Sequence, residues 1–145
     1  MTTEETAGSG AGPPSAGIDE EMIETLIRAF YAKVPADPVI GPIFDRVIGD
    51  QWDEHLPKMF DFWSSVLLGT RRFRGSPMQA HLKIPELSAA HFARWLELFR
   101  QTAREAWPPQ AAALIIERAE MIAESLQLGL AVSRGLPPPG EPSQP

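Results

Sequence analysis

Between Ile18 and Ser133 the apolar residues recur at helical spacing, and no stretch alternates with period two. Met22, Ile23, Leu26, Ile27, Phe30, Tyr31 and Val34 form one continuous stripe, which Pro35 and Pro38 end. Asp19 is placed to cap that helix, with Ile18 stapled to Ile23 across the cap. Asp37–Gly49 (DPVIGPIFDRVIG) holds so many breakers that it reads as short turns carrying Ile43, Phe44, Val47 and Ile48 inward. A long helix is expected over Asp50–Leu68, with Trp52, Leu56, Met59, Phe60, Trp63, Val66 and Leu67 at core spacing and Gly69 as its stop. Pro57 should cut or bend its first turn, moving the start to Asp53–His55. Ser76-Pro77 then opens a helix of about two turns that Pro85 closes, with His81 in its middle. Ser88 caps a segment to Ala106 with Phe92, Trp95, Leu96, Phe99 and Ala103 on one face, and Pro108-Pro109 separates it from a last helix over Gln110–Val132. The pattern predicts an all-α domain of four main helices plus short pieces.

Composition narrows what such a domain does. The 145 residues suit one core, and half of all Pro and Gly is packed into residues 1–17 and 134–145. Those two segments lack the apolar surface to offset ordering entropy, so they are expected to be disordered tails around a domain of residues 18–133. A net charge of −6 argues against a nucleic-acid partner, which needs a basic face. With no cysteine there is no disulfide, thiolate nucleophile, Fe–S cluster or Cys-based zinc site. No apolar run reaches the length of a membrane helix and no basic-then-apolar leader opens the chain, so no membrane insertion and a soluble, cytoplasmic protein are expected.

The three histidines carry what chemistry remains. No H-x-x-x-H pair, duplicated E-x-x-H, nucleophile elbow or phosphate loop occurs, which leaves zinc hydrolase, di-iron bundle, serine hydrolase and nucleotide-binding readings unsupported. His55 shares a helix face with Met59, Phe62 and Val66; by itself it reads as a polar residue near a helix end. His81 sits in a helix so short that few residues compete for the inward direction. His91 lies near a helix start and is assigned a structural place on the surface. Four Trp and seven Phe in so small a domain suit a flat apolar slot as well as an ordinary core.

Several pieces in fixed order resemble the truncated haemoglobins, most closely their group III. They are Phe30-Tyr31 with Val34; Asp37-Pro38 before Gly41-Pro42-Ile43-Phe44; Trp52 with His55; Phe62-Trp63 with Leu67-Leu68-Gly69; Gly75, Pro77-Met78 and His81 before Leu82; and Trp95-Leu96 with Leu98-Phe99. The likeness runs from about Glu20 to Leu130. It implies a two-over-two helical sandwich around haem b (iron protoporphyrin IX), held without a covalent link, since no C-x-x-C-H motif exists here. It further implies His81 as the axial metal ligand, with Phe44, Met59, Phe62, Trp63, Met78 and Trp95 against the cofactor, and Tyr31, His55 and Trp95 on the distal, ligand-binding side. Arg71, Arg72 and Arg74 stand just before the haem-binding helix, and Arg72 is the expected partner of the haem propionates.

The family match also fixes what has to be explained about function. A single neutral imidazole leaves haem iron with an open sixth position. Bound O2 draws negative charge and CO does not, so distal O–H and N–H donors favour O2 selectively. Two such bonds at roughly 1.5–3 kcal/mol each slow release by orders of magnitude, which argues against bulk oxygen delivery. Three classes stay open: a haem protein binding O2, NO or CO; an enzyme on the same scaffold, either a nitric oxide dioxygenase or peroxidase-like, drawing electrons from a separate reductase; and a helical module without cofactor.

Overall fold

In the computed structural model, which describes residues 16–136, those residues form α1 (Glu20–Lys33), a 3₁₀ turn (Val34–Ala36), α2 (Gly41–Ile48), α3 (Trp52–Leu68), α4 (Pro77–Leu82), α5 (Ala89–Ala106) and α6 (Pro109–Ser133). No strand occurs among them. Of the expected tails 1–17 and 134–145, residues 1–15 and 137–145 lie outside the described residues. Helices α1, α4 and α5 begin where their capping residues put them. Asp19 accepts from the Met22 amide at 2.8 Å, Ser76 from Gln79 at 3.1 Å, and Ser88 forms a reciprocal capping box with His91. Gly69 ends α3 in the left-handed region at φ 71°, its amide bonded to Ser65 O.

Helices α1 and α3 pack together, α5 packs on α6, and α1 lies against α5, giving the two-over-two sandwich. Phe30, Phe99, Ile23, Leu26, Ile27, Leu67 and Ile115 are fully enclosed at the crossing. Phe99 is its aromatic hub: Phe30 meets it edge-on at 5.1 Å, while Trp63 and Trp95 stack on it at 5.3 and 5.1 Å. Trp107 closes the end of α5 by donating its indole N–H to Met22 O, 3.1 Å away on α1.

Two expectations about the region before and within α3 are corrected. Asp37–Gly49 is not a run of turns, because α2 is a two-turn helix with Gly41 and Pro42 at its first two positions, where an amide has no intrahelical partner to lose. Val47 consequently faces outward and is 48% exposed, while Ile43 and Ile48 are buried. Gly41 also allows a close crossing, since a Cβ there would lie 2.8 Å from Pro35 O and 2.9 Å from Val34 O. Pro57 does not truncate α3, which starts at Trp52 and runs through it. The proline removes one bond to the Asp53 carbonyl, and both residues are exposed, so water can take that carbonyl. At the other end, Arg134, placed by the sequence pattern in the tail, donates to Leu87 O and Ile84 O and so anchors the chain after α6.

The turn leading into α2 is held by a buried acid. One oxygen of Asp37 accepts from the amides of Val39 and Ile40 at 3.0 Å each, and the other from Arg94 Nε of α5 at 2.6 Å. Burial pulls this carboxyl's pKa up. The Ile40 amide, the Arg94 guanidinium and the Val39 amide outweigh that and hold it below the ordinary 3.8. Asp37→Ala should therefore cost about 2–3 kcal/mol at neutral pH in urea unfolding. The contribution is complete above about pH 4 and is lost as pH falls through the depressed folded value, so variant and parent should converge in acid. An unchanged midpoint at neutral pH would contradict this role.

Candidate functional site

Helix α4 is bounded by proline on both sides, and its six residues turn one histidine to a definite use. His81 Nδ1 donates to the carbonyl of Pro77 one turn back, at 2.6 Å. That bond fixes the proton on Nδ1 and leaves Nε2 as a lone pair with no hydrogen-bond partner among the described residues. In metal sites a ligand histidine has its other ring nitrogen satisfied in the same way. Among the described residues no three His, Asp or Glu side chains stand together as a site for a bare metal ion.

The seat of α4 is equally specific. Met78 lies over Gly129 of α6, where an added Cβ would fall 2.3 Å from its Cε and 2.6 Å from its Sδ. Phe92 of α5 stands 6.3 Å from the His81 ring and is buried with Leu87, Leu126 and Leu130. Neither Phe92 nor Gly129 was singled out from sequence, where one reads as an ordinary core residue and the other as a glycine inside a helix. Upstream, the α3–α4 loop is pinned to α3. The Phe73 amide donates to Ser65 Oγ at 3.1 Å, Thr70 shares a 2.8 Å bond with Ser64, and the Phe73 ring meets Phe62 edge-on at 5.2 Å.

Four rings from three elements meet in a second group. Tyr31 of α1 lies 5.7 Å from His55 and 5.4 Å from Trp52, both of α3, and 5.8 Å from Phe44 of α2. His55 thus points inward, and its Nε2 is buried without a partner. An orphaned polar atom in an aromatic enclosure calls for a ligand. Burial, and then the Lys58 ammonium, hold the His55 imidazole below its ordinary pKa of 6.5. Burial alone pushes the Tyr31 phenol further above its ordinary value of 10.0. Both side chains are held in their neutral forms, with hydrogens to donate.

The remaining site residues fall into distinct places. Phe44, Met59, Phe62, Met78 and Trp95 are all half-buried, so each leaves apolar surface uncovered for a cofactor to cover. Trp63 is buried instead in the stack on Phe99. Trp95 joins the distal group through Phe30, which it meets at 5.8 Å and which meets Tyr31 at 4.9 Å. His91 is consumed by the cap of α5, its Nδ1 accepting from the Ser88 amide at 3.1 Å. Arg72 is corrected. Its guanidinium pairs with Glu20 and Asp61 and donates to Ser64 Oγ. It thereby borders a recess of about 120 Å³ lined by Pro57, Phe60, Asp61 and Ser64. At 100° per residue those positions occupy the face of α3 opposite His55, Met59, Phe62 and Val66. Among the described residues no helix is long and apolar enough to cross a membrane.

Comparison with known proteins places this arrangement. A family model described as bacterial-like globin matches residues 16–127. A group 3 truncated haemoglobin of Campylobacter jejuni subsp. jejuni serotype O:2 is 36% identical over 113 residues, covering 76% of this chain and 89% of that protein. The crystal structure of a group III truncated haemoglobin from Campylobacter jejuni superposes with a TM-score of 0.72, covering 75% of this chain and 88% of that one at 36% identity.

The orphaned imidazole makes stability pH-dependent. Between its depressed folded pKa and 6.5 the unfolded chain binds more protons than the folded one, so stability falls as pH drops below 6.5. His55→Gln should flatten that slope in haem-free protein unfolded by urea between about pH 7 and about pH 5. Parallel slopes in variant and parent would show that His55 is not buried neutral.

Proposed function

The chain belongs to the truncated haemoglobins of the bacterial-like globin family, and on that premise we propose that it holds one haem b and retains O2 or a related diatomic gas beside Tyr31 and His55. When bound, the haem supplies an iron with one position open to such a gas. The observation that carries the reading is the pair of neutral donors side by side, Tyr31 buried and His55 half-buried, with the buried His55 Nε2 lacking any protein partner. A polar atom left this way in a low-dielectric enclosure costs stability unless a ligand or ordered water occupies it.

Each residue of the chain then has a separable task. His81 presents Nε2 to the metal, and the Pro77 carbonyl keeps its other nitrogen protonated and its ring from turning. Phe44, Met59 and Phe62 cover the porphyrin with apolar surface and exclude water. Tyr31 donates to the oxygen end of the ligand, with His55 as a second donor and Trp95 completing the wall. A gas that gathers negative charge gains from these donors and a neutral one does not, which separates O2 from CO. The resulting slow release suits ligand retention, or chemistry on the retained ligand, better than delivery.

Tyr31→Phe keeps the ring and removes the O–H. It should raise the O2 dissociation rate about tenfold or more in stopped flow, with a much smaller change for CO. His81→Ala should lose haem during purification, whereas His91→Ala should keep the parent absorption spectrum. An O2 off-rate unchanged in Tyr31→Phe, or haem lost from His91→Ala and kept by His81→Ala, would overturn the assignment.

A further inference from the structure

Trp52 has no role in the reading so far, yet it touches Tyr31, Phe44 and His55. It is the first residue of α3, and its side chain leans back over the chain that enters the helix. There its indole stacks on Phe44 at 6.2 Å and 14°, meets Tyr31 at 5.4 Å and meets His55, three residues on, edge-to-face at 5.7 Å and 85°. Tyr31 closes the triangle by meeting His55 at 5.7 Å and 89°. The His55 ring is thus flanked by two aromatic side chains that also touch each other.

No hydrogen bond holds His55 Nε2, so protein bonding at that nitrogen does not set the ring's direction. The backbone of His55 cannot set it either, since α3 is regular through this position and a helical histidine has more than one staggered rotamer open to it. What remains is contact. Tyr31, and Trp52 backed by Phe44, each limit the ring by edge-to-face contact.

We propose that Trp52 is a positioning residue, whose indole holds the His55 imidazole turned toward the gas ligand and blocks its rotation out of the distal enclosure. This rests on the reading of His55 as a distal donor. It adds that the donor's direction is set by an aromatic neighbour one turn before it on the same helix. The consequence is epistasis: removing Trp52 acts through His55, so it has little left to change once His55 is gone.

The test uses haem-loaded protein in four forms, the parent, Trp52→Ala, His55→Ala and the double variant, with Trp52→Phe as the conservative control. Trp52→Ala should raise the O2 dissociation rate about tenfold, the loss of one donor to a charged oxygen. Trp52→Phe should restore most of it, and in the His55→Ala background the same Trp52→Ala change should add no more than about twofold. In the carbonmonoxy form, the nuclear Overhauser contact between the Tyr31 and His55 rings should be present in the parent and Trp52→Phe and lost in Trp52→Ala. Should Trp52→Ala fail to fold, Trp52→Leu takes its place in every arm. Equal rate increases in both backgrounds, or an intact Tyr31–His55 contact without Trp52, would overturn the proposal while leaving the haem reading standing. If His55→Ala itself leaves the O2 rate unchanged, the role of His55 as a donor fails, and the proposal with it.

Discussion

The hydrogen bond from His81 Nδ1 to the Pro77 carbonyl is the constraint on which the site depends. It is available because α4 is a helix of one and a half turns with proline at its first position and Ser76 as its cap. Those features place the Pro77 carbonyl one turn before the histidine, within reach of its ring. With the proton held on Nδ1, Nε2 carries the ring's lone pair, and the ring has one orientation. The rest of the proximal side keeps α4 where this bond is useful. Met78 seats it on Gly129, and the pinned loop fixes where it begins.

The distal side answers with the opposite device. There the functional nitrogen is left unsatisfied, and burial keeps Tyr31 and His55 uncharged. A charged partner beside either of them would compete with the ligand for their hydrogens. Ion pairs are present in the fold but stand away from this enclosure. Asp37–Arg94 ties the turn before α2 to α5, and Arg72 joins α1 to the far face of α3. The aromatic rings between these two sides leave surface half-covered, whereas the rings at the helix crossing do not.

Most of the helices were legible because their ends carry local chemistry: Asp19, Ser76 and Ser88 cap where they should, and Gly69 stops α3. Helix α2 was not, because Gly41 and Pro42 count as breakers by composition and become compatible only at the first turn of a helix. Pro57 misled for a similar reason, since its cost depends on whether water can reach the abandoned carbonyl. The ligand histidine was legible from its isolation between prolines. Its acceptor was not, because a backbone carbonyl leaves no mark in a sequence. Arg72 shows the limit most clearly. It is close to His81 in the chain, but Arg71 turns the backbone at φ 62° and Arg72 lies across the other face of α3. Trp52 read as core by its spacing, and only the ring geometry shows that its neighbours are Tyr31 and His55.

The central claim is that this chain is built around one axial histidine and an open coordination position faced by neutral donors. The visible absorption spectrum of the purified ferrous protein, recorded without and with O2, tests it most directly. The account predicts a haem band that, without gas, is the single broad feature of five-coordinate high-spin iron and that splits into two sharp bands on adding O2. A split, six-coordinate spectrum already present without gas, or a protein that takes up no haem at all, would contradict it.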